Sequence, residues 1–149
     1  MLKKILIGLA VLLVLIQFIR IDKTNPPANQ AKDFMTLTQP SDEVKGILIN
    51  SCYDCHSNES TYPWYSDIAP VSWWLQHHIQ EGREHLNFSE WGNYSEKRQQ
   101  HKLDECIEEV EEGEMPLSTY TVMHKNAALS PAQQETFNAW ITTLIKKKQ

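Results

Sequence analysis

Residues 52–56 read Cys-Tyr-Asp-Cys-His, and no other stretch of the chain restricts its fold so tightly. C-x-x-C-H is the attachment pattern of c-type haem. Two thiols one helical turn apart can each add to a vinyl group of the same porphyrin. The histidine that follows then lies beneath the iron and supplies a nitrogen ligand. Cys52 and Cys55 are therefore the candidate cofactor attachment points, and His56 is the candidate metal ligand.

Helical signals surround this motif. Ser41 can cap a helix with Asp42 and Glu43 in its first turn, where acids favour the dipole. Val44, Ile47 and Leu48 share one face just ahead of the cysteines. Val71, Leu75, His78 and Ile79 make a second stripe that ends near Gly82. Ser95 opens a third helix, with Leu103, Ile107 and Val110 inward and Gly113 as its C-terminal cap. In the last helix Ser130 caps, Pro131 takes the first position and Gln133 completes a capping box. Its buried face is Phe137, Trp140, Ile141, Leu144 and Ile145, and Lys146 to Lys148 suit its negative end. No segment alternates apolar and polar residues. The expected fold is an all-α domain with long irregular loops, spanning residues 41–149.

The N-terminus reads differently. Residues 5–19 are apolar but for Gln17, with Lys3 and Lys4 before them and Arg20 and Lys23 after. Counted over residues 2–21, the run reaches the roughly 20 residues of a membrane-spanning helix. No small-x-small cleavage site follows, so an uncleaved anchor over residues 1–23 is expected rather than a signal peptide. The basic N-terminus would stay cytoplasmic. That makes the expectation a single-pass protein of the inner membrane with its C-terminal domain in the periplasm, where c-type haem is attached. Residues 24–40 are polar, hold three prolines and read as a linker.

Haem iron has a second axial position, and Met115 is the leading candidate. It lies in Gly113-Glu114-Met115-Pro116, after a helix and well downstream of His56. A thioether from a loop stiffened by proline is an arrangement that raises a cytochrome's potential. The plainer alternative is a methionine packed in the core. Met123, His77, His78 and His124 compete for the same role. His85 and His101 fall in polar stretches and read as exposed. Cys106, beside Ile107 on a helix, reads as a buried free thiol.

Rival chemistries are weaker. A zinc site from Cys52, Cys55, His56 and Cys106 lacks a second C-x-x-C or H-x-x-x-H pair. A thioredoxin-like pair would need a βαβ context. Beyond residue 23 the chain holds ten Lys and Arg against 18 Asp and Glu, a formal charge of −8. Such a surface repels phosphate backbones, which excludes nucleic acid, and it suits a basic protein partner.

The combined pattern resembles the bacterial haem-binding-domain family of small, anchored, cytochrome-c-like proteins. The matching pieces are C-x-x-C-H-S-N at 52–58, P-W-Y at 63–65, I-A-P at 68–70, S-W at 72–73, G-R at 82–83 and N-F-S at 87–89. G-E-M-P at 113–116, Tyr120 and the L-S-P opening of the last helix complete it. The resemblance implies one covalent haem c, with its iron, per chain, and no particular reaction. With His/Met ligation the iron has no open site, so electron transfer to a redox partner protein is expected rather than enzymatic turnover. A haem-based sensor or enzyme with a labile distal site is the alternative.

Overall fold

In the computed structural model, which describes residues 1–147, the chain is helix and loop with no strand among the described residues. The α-helices are α1 (Leu2–Ile16), α2 (Phe34–Thr38), α3 (Asp42–Ser51), α4 (Tyr53–His56), α5 (Val71–His85), α6 (Glu96–Glu111), α7 (Ser118–Met123) and α8 (Pro131–Lys146). Short 3-10 turns at Gln30–Lys32, Trp64–Asp67, Phe88–Asn93 and Lys125–Ala127 fill the connections.

Capping chemistry sets the main boundaries. Ser41 accepts from Val44 N at the start of α3, and Ser95 accepts from Arg98 N at the start of α6. Ser130 and Gln133 form the full capping box of α8. Helix α5 runs three residues past Gly82, to His85. Gly113, at φ +76°, takes the left-handed turn that ends α6, a conformation glycine adopts without a Cβ penalty. Lys148 lies outside the described residues.

The main core packs α3, α6 and α8 together around Ile47, Leu48, Leu103, Phe137 and Ile141. Phe34 of α2 is fully buried at its centre, against Phe88, Trp91 and Trp140. A smaller cluster gathers Tyr65 with Leu75 and Ile79 of α5. The cysteine motif joins the two: Cys52 packs on the main core and Cys55 on the smaller cluster.

The N-terminal expectation is overturned. Among the described residues no helix is long and apolar enough to cross a membrane. Helix α1 has 15 residues, about 22 Å of rise against the ~30 Å of a bilayer's hydrocarbon core. The transmembrane helix and the single-pass inner-membrane location inferred from it therefore both fall. The physical reason lies in the residues counted to fill the span. Gln17 leaves the helix and pairs with Ala69 twice, donating Nε2–H to its carbonyl at 2.9 Å and accepting its N–H at 3.0 Å. Ile19 accepts from Trp73 Nε1 at 2.9 Å, and Arg20 donates to Asp67 O at 2.7 Å. Lys23 pairs with the Asp67 carboxylate at 2.6 Å. The polar and basic end of the run is engaged with the domain instead of extending the helix.

Candidate functional site

The motif sits at a break between two helices. Cys52, at φ −126° and ψ −45°, ends α3 and starts α4. Its carbonyl accepts from His56 N at 2.9 Å, so α4 is one turn that carries Cys55 and His56. The His56 ring is fixed by helix α5. Its Nδ1 lies 2.9 Å from Gly82 O and 3.1 Å from Leu86 O. Carbonyls only accept, so Nδ1 carries the proton and Nε2 holds the free lone pair. Gly82 is required there for space: a Cβ at this position would lie 2.8 Å from the Cys55 carbonyl oxygen.

A cavity of about 370 Å³ opens beside the motif. Cys52, Cys55, His56 and Met115 all line it, together with apolar Ile47, Leu86, Phe88, Val110, Leu129 and Phe137. Helix α6 forms one wall, with Lys102, Glu105, Cys106, Glu109 and Val110 on its inner stripe. The loop after α6 is folded back on that helix. Glu114 N and Met115 N both donate to Glu109 O at 3.0 Å.

The other axial candidates are placed differently. Met123 is exposed, and His77 is exposed and pairs with Glu81 at 3.3 Å. His124 Nε2 is 2.7 Å from Tyr65 Oη and stacks on Tyr120, away from the cavity wall. His78 does line the cavity, with Nδ1–H donated to Trp74 O at 2.9 Å. His85 is exposed yet also lines it, as does Cys106. His101 stays outside and pairs with Glu105 at 3.0 Å.

Several residues around the site had no assigned role in the sequence. Arg83 donates to Ser57 O at 2.7 Å, to Asn25 Oδ1 at 2.7 Å and to Ser60 Oγ at 2.8 Å. Asn58 donates its side-chain N–H to Pro27 O at 3.1 Å, accepts from Asn87 Nδ2 at 2.8 Å and donates its backbone N–H to Ser89 Oγ at 3.1 Å. These side chains clamp the loop that leaves His56. Ser57, Asn58, Arg83, Asn87 and Ser89 are polar residues beside the motif and the end of α5, and nothing local in the sequence pairs them.

Burial sets the protonation states. It pushes the Cys55 thiol up to about 11 and the Cys106 thiol up to about 12, and the Cys52 thiol higher still, with Cys106 adding to the effect. Burial lowers the His56 pKa below its ordinary 6.5, outweighing the Leu86 and Gly82 carbonyls that raise it. A neutral imidazole is the form that binds a metal. The same shift predicts a pH effect on folding. Below about pH 6.5 the unfolded chain takes up a proton at His56 that the folded chain refuses. The stability is complete above that pH and is lost as pH falls toward the folded value. The urea midpoint of the haem-free chain is expected to drop between pH 7.5 and pH 5.5. An equal drop in His56→Gln would refute the assignment.

The site's chemistry fits a haem. A flat apolar group needs an apolar cavity, an axial nitrogen and, for covalent attachment, two thiols, and here His56 and both thiols line one largely apolar space. Among the described residues no three of His, Cys, Asp or Glu converge as a metal site, so the zinc reading gains no support. The family model for the haem-binding domain matches residues 11–143, and the chain belongs to that family. No curated protein and no solved structure matches the chain.

Proposed function

We propose that this chain is a monohaem c-type electron-transfer protein, with one haem bound covalently at Cys52 and Cys55 and with His56 and Met115 as iron ligands. The observation that carries the reading is the convergence of those four side chains on one cavity, with His56 oriented by Gly82 and Leu86 so that Nε2 is free. Bound haem supplies a one-electron ferric/ferrous couple. The chain's own contribution is to fix both axial donors, exclude water with apolar walls and present an acidic surface to a redox partner of opposite charge.

The reduced and oxidised visible spectra of the purified full chain test this reading. The ferric protein is expected to show the weak far-red band of sulfur-to-iron charge transfer. Replacing Met115 with Ala should abolish that band and admit carbon monoxide or imidazole. It should also lower the reduction potential by an amount on the order of 0.1 V, within the ~0.8 V that axial ligands span. Met123→Ala should change none of these. His78 lines the same cavity, so a bis-histidine iron is the competing ligand set. A wild-type spectrum without the far-red band that His78→Ala alters would establish it. Ready carbon monoxide binding by the wild type would move the sensor or enzyme reading ahead.

A further inference from the structure

The segment that carries Met115 has few anchors. Helix α7 buries one side chain among its six residues, Tyr120. Val122 and Met123 on the same helix are exposed. The segment is tied down at its start by the bonds to Glu109 O and at its end by Ser51 Oγ, which donates to Ala127 O at 2.9 Å. Between those ends, Tyr120 Oη donates to Asp54 Oδ2 at 2.7 Å. Asp54 stands between the two cysteines of the motif and is itself held: its Oδ1 accepts from Thr61 N at 2.9 Å, and its carbonyl accepts from Ser60 Oγ. Tyr120 also lines the cavity. On its other side it stacks on His124 at 4.1 Å and 10°, and His124 reaches Tyr65.

We propose that Tyr120 is a positioning residue whose hydrogen bond to Asp54 latches residues 113–129 to the attachment motif and so holds the Met115 thioether over the cavity. The link to iron rests on the reading of Met115 as a ligand. The latch itself rests on the geometry alone. Burial, reinforced by the neighbouring Asp54 carboxylate, keeps the Tyr120 hydroxyl protonated, so it is a lasting donor. A bond to an ionised acceptor is among the stronger neutral-to-charged contacts in a fold. It ties the loop that carries Met115 to Asp54, which stands between the two cysteines.

The test uses the full haem-loaded chain and two readouts. The first is amide exchange in residues 118–124, and the second is the rate at which saturating imidazole enters the ferric protein, which is limited by departure of the intrinsic ligand. Tyr120→Phe keeps the ring and its stacking but removes the hydroxyl. Both rates are expected to rise about tenfold or more, as loss of one charge-assisted hydrogen bond implies. Asp54→Ala should match it. The double variant should add little to either single one. Asp54→Asn retains an acceptor and should recover part of the loss. Unchanged exchange in Tyr120→Phe overturns the latch. Faster exchange with imidazole entry at the wild-type rate overturns its hold on Met115. A wild-type ferric protein that lacks the far-red band and takes imidazole at once refutes the ligand reading before any variant is compared. The exchange comparison then decides the latch by itself.

Discussion

Changing both Cys52 and Cys55 to Ala is expected to abolish covalent retention of haem completely. Each single change should leave a haem held by one thioether bond. The argument is geometric. The two thiols sit one turn apart, Cys52 at the break between α3 and α4 and Cys55 within α4, and both face the cavity that His56 lines. Cys106 lines the cavity too, but from helix α6 on another wall, so it is not expected to substitute for either. The measurement is denaturing electrophoresis stained for haem after expression with a c-type maturation system. Haem that stays with the doubly substituted chain would sink the attachment reading. Retention lost on adding Cys106→Ala would identify the third thiol as the attachment point.

Phe34→Ala is expected to have the largest effect on stability. The ring is fully buried. It stacks on Phe88 at 4.9 Å and meets Trp91 and Trp140 edge-on at 4.6 and 5.6 Å. Truncating a buried phenylalanine costs about 3–5 kcal/mol, from lost transfer energy and the cavity left behind. Domains have about 5–15 kcal/mol in all, so the variant should be near the limit of folding. Urea unfolding should give a lower midpoint with an unchanged slope. A loss below about 1 kcal/mol would show that the aromatic cluster relaxes around the gap or that α2 does not belong to the cooperative core.

The main helices were legible because their signals are local. Ser41, Ser95 and Ser130 act within three residues of themselves, and the apolar stripes repeat within one element. The proximal half of the candidate site was legible for the same reason, since its three chemical groups span five residues. What escaped is non-local. Phe34 lies between prolines and polar residues, and only its aromatic partners on Phe88–Asn93 and α8 make it a core residue. Gln17 looked like one polar residue tolerated in an apolar run. Its amide is matched to a backbone 52 residues away, and no periodicity encodes that. Cys106 was read as a core thiol because nothing in α6 states that its inner stripe faces a cavity as well as a core. Gly82 looked like the end of a helix, when its role is the space it leaves for the Cys55 carbonyl.

The Arg83 clamp has a consequence for the chain entropy the molecule gives up on folding. Its bonds and those of Asn25 and Asn58 join segments that are far apart along the chain: Asn25 to Arg83 spans 58 residues, Asn25 to Ser60 spans 35, and Pro27 to Asn58 spans 31. Closing such loops carries an entropic cost that nearby contacts avoid. The turn around Cys52–His56 closes over four residues, while its docking on α5 spans 26 residues to Gly82 and 30 to Leu86. The turn itself is therefore the cheapest of these closures, and the bond from Asn25 in the N-terminal segment to Arg83 the costliest.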